Sequence, residues 1–214
     1  MRLPRLTPAR VALVLAALTL AGIGVAYAAT LSTASAQLWA GSQTLTKTTC
    51  SLGASDTWVD ESSPTATNGG DATLSIQSKN HTRQIGFIRF DLSSCGLPTT
   101  GGADSATLTL TVTDATKSHT ISLFPVTSSW SPASLTWDSA QSLTVGSTAT
   151  ASFTATTGVK AIPVTAAVDA AIKAGTFWGW ELVDTSNGTA TTTIASSSAS
   201  SPGDRPTLEI AGER

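Results

Sequence analysis

The chain has 214 residues, with 12 Lys/Arg against 14 Asp/Glu and a formal net charge of −2. Charged residues are only 12% of it, while Ser and Thr together make up about 30%. This balance argues against a general nucleic-acid-binding surface, which needs a basic face. It also argues against a soluble helical protein, which would carry more Glu, Lys and Leu.

The first 28 residues read as an export signal. Arg2, Arg5 and Arg10 form a positive n-region, Val11 to Val25 is apolar and uncharged, and Ala26-Tyr27-Ala28 supplies a small-x-small cleavage pattern. The apolar run is short for the roughly 20 residues of a membrane helix. The alternative is an uncleaved N-terminal anchor, which would be the chain's one membrane contact. Cleavage would leave 9 Lys/Arg against 14 Asp/Glu, a formal charge of about −5.

Residues 29–53 are Ser/Thr/Ala-rich and read as a tether or a first edge strand. A domain is expected over 54–211. Asp56 to Asp60 predicts a short strand, and Asn68-Gly69-Gly70 a turn. Thr73 to Gln77 alternates, with Leu74 and Ile76 on one face. Gln84 to Leu92 places Ile88, Phe90 and Leu92 on one face and Phe87, Arg89 and Asp91 on the other. Ala106 to Thr113 sets Ala106, Leu108, Leu110 and Val112 against threonines, the pattern of a half-buried antiparallel strand. Thr120 to Val126 follows, with Pro125 marking an end or an edge. Residues 127–140 carry two tryptophans in a turn-rich loop. Thr150 to Ala155 and Gly158 to Val164 predict weaker strands.

Thr165 to Ala174 predicts the one short helix, with Thr165 as cap and Gly175 as its left-handed stop. Phe177 to Val183, Thr191 to Ser196 and Pro206 to Ala211 complete the strands. The expected fold is all-β: a two-sheet antiparallel sandwich, jelly-roll-like, and a monomer.

Two cysteines in an exported chain, Cys50 and Cys95, predict a disulfide. Lys79, His81, Arg83 and Arg89 fall within eleven residues. Arginine forks match carboxylates, so Lys79, Arg83 and Arg89 are candidates for holding an acidic polysaccharide; the plainer alternative pairs Arg89 with an internal carboxylate. A flat indole can stack on a sugar ring. Trp137 and Trp180 read as core fillers, and Trp58 and Trp178 as the surface candidates. Asp56, Asp60, Glu61 and Asp71 cluster near the first turn, and Asp56, Asp60 and Asp71 are candidate ligands for a structural Ca²⁺. Apart from calcium no cofactor is expected. No nucleophile elbow, metalloprotease helix or phosphate loop occurs. His81 and His119 both sit in polar turn contexts. The sequence therefore points to a non-catalytic role.

The order of motifs resembles a known family. Asp56-Thr-Trp-Val-Asp60, Asn68-Gly-Gly70, Arg83 through Ile85–Leu92, Ala106–Leu110, Trp130, Leu135-Thr-Trp137, Val164 to Gly175, Trp178-Gly-Trp180 and Arg205-Pro-Thr-Leu208 together resemble the DNRLRE domain. This is a β-sandwich domain of bacterial and archaeal exported proteins, grouped with carbohydrate-binding modules. The resemblance spans about residues 54–211. It implies an extracellular or cell-surface module that binds polysaccharide, with acidic sugars such as alginate as a ligand class. Such modules are often appended to polysaccharide-degrading enzymes, and the remaining residues leave no room for one. The alternatives are a structural or adhesive surface protein without sugar specificity and, more remotely, a polysaccharide hydrolase or lyase.

Overall fold

A computed structural model describes residues 47–186 and 188–213. The expected export signal and the tether up to residue 46 lie outside them.

The described chain is built of eleven strands. They are β1 (Lys47–Gly53), β2 (Ser55–Asp60), β3 (Thr73–Gln77), β4 (Gln84–Arg89), β5 (Ala103–Ala115), β6 (His119–Pro125), β7 (Ala151–Ala155), β8 (Gly158–Pro163), β9 (Trp180–Asp184), β10 (Thr191–Ala195) and β11 (Thr207–Glu213). Every strand pairing is antiparallel. Helices are few: α1 (Trp137–Ala140), α2 (Thr165–Ala174), and two 3₁₀ turns, Leu92–Cys95 and Pro202–Asp204.

Two layers result. In the first, long β5 pairs β8 along one edge; along the other it pairs β11 through its first half and β10 through its second. β1 extends this layer beyond β11, and β3 extends it beyond β10. The second layer runs β2–β4–β9–β6–β7. One residue pair, Gln77 opposite Gln84, joins the layers. The all-β sandwich read from the sequence is therefore the fold.

The interior follows from period-two alternation. Leu74 and Ile76, Leu108, Leu110 and Val112, Ile121 and Leu123, Trp180 and Leu182, and Leu208 and Ile210 all point into one buried cluster. A Cβ added at Gly86 would lie 3.6 Å from Ile76, so the layers meet closely there. α2 closes one side by burying Val168 and Ile172, four residues apart on one helical face. At about 25 cal/mol per Å² of apolar surface, such burial is the main stabilising term.

Three local differences from the sequence reading have physical causes. Thr165 does not cap α2; Val164 holds the cap position, and the Thr165 hydroxyl accepts from Ala106 N (3.0 Å) instead. Gly175 does supply the left-handed stop, at φ 67°. β4 ends at Arg89 rather than Leu92, because Asp91 accepts from Ser93 N and starts the 3₁₀ turn. β9 begins at Trp180 rather than Phe177. Just before it, Gly179 at φ 81° lies so close to Ile88 and Arg89 that a Cβ would strike Arg89 Cα at 2.7 Å.

Cys50 and Cys95 form the expected disulfide, with Cα atoms 5.6 Å apart. It ties β1 to the 3₁₀ turn that follows β4.

Candidate functional site

The outer face of the second layer is unusual because it too is covered. Phe87 on β4 and Val59 on β2 point away from the main core, yet both are fully buried. The loop 127–145 lies over them, with Trp130, Leu135 and Trp137 packed down onto the sheet. α1 sits inside this loop, capped by Thr136, whose Oγ1 accepts from Ser139 N (3.2 Å). Phe87 and Trp130 meet edge to face at 5.7 Å.

The two arginines flank this second cluster. Arg83 lies over the Trp137 ring at 5.0 Å, and its Nε faces Glu61 Oε2 at 3.3 Å. Arg89 lies over the Trp130 ring at 5.3 Å and donates from Nη1 to the Trp130 carbonyl at 2.8 Å. Six residues of extended chain separate them, about 20 Å. The structure therefore does not bring Lys79, Arg83 and Arg89 together. Lys79 and His81 are exposed on the turn between β3 and β4, where His81 adopts φ 64°. The plainer alternative is not met as stated either, because the partner of Arg89 is a carbonyl oxygen and not a carboxylate.

Of the tryptophans, Trp180, Trp130 and Trp137 are buried, while Trp58 and Trp178 are half-buried. Trp58 is held by two bonds: its Nε1 donates to Asp71 Oδ2, and its carbonyl accepts from Asn68 Nδ2, both at 2.9 Å. The Trp178 carbonyl accepts from Trp130 Nε1 at 2.7 Å, next to Arg89.

Asp56, Asp60 and Asp71 face different partners. Asp56 accepts from Ser197 N and Oγ, both at 2.8 Å. Burial pushes its carboxyl above the usual range, and those Ser197 bonds pull it back only in part. Asp60 accepts from Ser62 N and Oγ and from Gln84 Nε2. Burial pushes Asp60 up, but these bonds outweigh it and hold the carboxyl below the ordinary value. Asp71 receives the Trp58 indole. Among the described residues no three His, Cys, Asp or Glu groups gather as a metal site, so the candidate calcium ligands Asp56, Asp60 and Asp71 are not brought together as a set.

His119 is not in an exposed turn. It opens β6 and is buried: Nδ1 donates to the Lys117 carbonyl (2.7 Å), and Nε2 meets Thr192 Oγ1 (2.9 Å). Asp184 lies 3.9 Å from Nε2 and accepts from Ser78 and Ser186.

A cleft of about 590 Å³ opens at the Arg89 end. One wall is the end of β4 with the turn beyond it: Arg89, Phe90, Asp91, Leu92, Ser93, Leu97 and Thr99. The other is the C-terminal end of α2 and its exit: Ala171, Ile172, Gly175, Thr176 and Phe177, with Ser55 of β2 nearby. Hydrogen bonds from Ser93 and Ser94 hold the Asp91 carboxyl below its usual range, so it remains a carboxylate. Half-buried Phe177 packs edge to face on Trp180 at 4.9 Å, which fixes its ring. Arg89 has given one of its five N–H donors to Trp130, and the guanidinium is braced against the indole. The lining thus combines hydroxyl-bearing residues, an arginine, one carboxylate and an immobilised ring, which suits a hydroxyl-rich ligand with an apolar face.

Of the residues that line the cleft, only Arg89 is among the candidates named from the sequence. The two walls lie far apart in the chain, and Phe177 was read as part of a strand. The one available signal was the Gly175 helix stop next to an aromatic residue.

The sequence model of carbohydrate-binding module family 96 matches residues 47–212. No curated protein matches the chain.

Proposed function

The chain belongs to carbohydrate-binding module family 96, and from that premise we propose that it binds a polysaccharide non-catalytically, outside the cytoplasm, in the cleft at the Arg89 end. The observation that supports this reading is the cleft itself, lined by Arg89, whose guanidinium is braced against Trp130, and by Phe177, whose ring is fixed on Trp180. Phe177 gives the C–H face of a sugar ring a surface to stack on, and Arg89 directs its remaining donors at ring oxygens or a carboxylate. We read an acidic polysaccharide as the ligand, since a guanidinium fork fits a uronate carboxylate bidentately. Trp178, beside Arg89, extends the contact for a longer chain. Lys79, Arg83 and Trp58 stand away from the cleft and enter only if the polymer continues across the β3–β4 end. The motif order quoted for the DNRLRE domain, and the disulfide, support an exported module.

Titration calorimetry with oligomers of alginate, polygalacturonate and cellulose tests the proposal. Saturable binding of a uronate oligomer is expected. Arg89→Ala should weaken it by about 10- to 100-fold, the loss of a charged hydrogen-bonding group. Phe177→Ala should weaken it by several-fold. Lys117→Ala, far in sequence from either wall, is the control of equal charge change. Melting curves exclude unfolding as the cause. Binding that is indifferent to Arg89→Ala and Phe177→Ala removes the cleft from the account, and failure of all three oligomers to bind removes the ligand class.

A further inference from the structure

The disulfide sits directly behind one wall of the cleft. Cys95 ends the 3₁₀ turn Leu92–Cys95, and on either side of it Asp91, Ser93, Leu97 and Thr99 face the cleft. The hydrogen bonds of this segment close largely on itself. Ser93 N and Oγ and Ser94 Oγ donate to the Asp91 carboxylate, Ser94 N to the Asp91 carbonyl, Gly96 N to Ser93, and Gly101 and Gly102 N to Pro98. They shape the segment from within. Its fastening includes the covalent bond from Cys95 to Cys50, the burial of Cys95 in the main core, and Leu92 and Leu97, which pack against that core. Cys50 in turn lies in β1, which among the described residues pairs only with β11.

We propose that the Cys50–Cys95 bond is a redox latch on the cleft: oxidised, it holds the Asp91–Thr99 wall in place, and its reduction frees that wall and weakens ligand binding. A dithiol reduces it by exchange. The protein S–S bond breaks, both cysteines become thiols, and the dithiol gives up two electrons and two protons to close its own disulfide. A freed wall must be re-ordered by the ligand. Fixing one backbone residue corresponds to about tenfold in affinity. Coupling is reciprocal, so saturating ligand makes the bond harder to reduce by the same factor, about 30 mV more negative for a two-electron couple.

The release of the wall stands independently, while its effect on affinity rests on the glycan reading above. The experiment is hydrogen–deuterium exchange on the whole chain, oxidised, reduced with dithiothreitol, and as Cys50→Ser/Cys95→Ser, with a melting curve on each. The expected result is a loss of protection at 91–102 and 47–53 that exceeds the loss in β4, β5 and β9, which fall only by the amount that the lower global stability sets. Titration of the same three samples with alginate and polygalacturonate oligomers should show about tenfold weaker binding without the bond. Unchanged protection over 91–102 overturns the proposal. So does an equal loss across the whole domain, which would make the bond a general staple, and so does equal affinity in the oxidised and reduced forms. If the oxidised protein binds no oligomer while the local exchange result holds, the glycan reading has failed and the latch has not.

Discussion

Trp130 offers the sharpest test of how the outer face is built. Its side chain is 7% exposed, meets Phe87 at 5.7 Å, carries Arg89 at 5.3 Å over its ring, and donates from Nε1 to the Trp178 carbonyl. Truncating a buried Trp to Ala costs about 3–5 kcal/mol, from lost transfer energy and the cavity left behind. In a domain of this size that lowers Tm by roughly 6–20 °C. Arg89 bonds to the backbone carbonyl of residue 130, and that bond survives the truncation. A double-mutant cycle of Trp130→Ala with Arg89→Ala therefore isolates the contact of the guanidinium with the ring face. For a half-buried pair we expect a coupling of about 0.5–1 kcal/mol. Urea unfolding of the four proteins, with equal m-values, gives both numbers. A cost for Trp130→Ala below about 0.5 kcal/mol, the range of surface substitutions, would refute the packing of loop 127–145 on the sheet.

Other expectations follow from single features. Closing a loop between residues separated by 45 positions is worth about 4 kcal/mol in the chain-entropy model, so Cys50→Ser/Cys95→Ser should lower the unfolding free energy by up to that amount. Gly179→Ala should cost about 3 kcal/mol or more, because φ 81° disfavours a Cβ and the added atom meets Arg89 Cα at 2.7 Å; an unchanged Tm would contradict this. Glu181 shares the outer face of β4 and β9 with Phe87. Burial raises its carboxyl above 4.5, with Arg83 opposing in part. A raised folded value means stability is fully present below the unfolded value and is lost as pH rises through the folded one. Glu181→Gln should therefore raise Tm near neutral pH, with the gain vanishing below about pH 4.5; an equal gain at both ends would disprove the titration.

Much of the fold is legible because alternation is a local signal. Thr73–Gln77 needs only Leu74 and Ile76 on one side to declare itself, and its bounds are those of β3. The 165–174 helix reads equally well from its alanines and Gly175. Alternation also sorts β4 correctly into Ile88 and Phe90 on one side and Phe87 and Arg89 on the other. It cannot reveal that both sides are buried, since the cover over Phe87 comes from tryptophans more than forty residues later. Spacing misleads in the basic cluster for the same reason. Proximity along an extended strand means distance in space, so Arg83 and Arg89 end up at opposite ends of the outer cluster. Burial of His119 depends on Thr192 and Asp184, partners that no reading of residues 117–120 contains. The cleft is a product of tertiary packing, and among its residues only Arg89 and the Gly175 helix stop carry a signal of their own.

The claim that a glycan occupies the space between Arg89 and Phe177 is tested most directly by amide chemical shifts, recorded on ¹⁵N-labelled protein titrated with a uronate oligomer. The account predicts saturable shifts concentrated in residues 89–99 and 171–178, with one dissociation constant for both walls. Shifts confined to the β3–β4 turn around Lys79 and Arg83, or to the loop around Trp58, would contradict it.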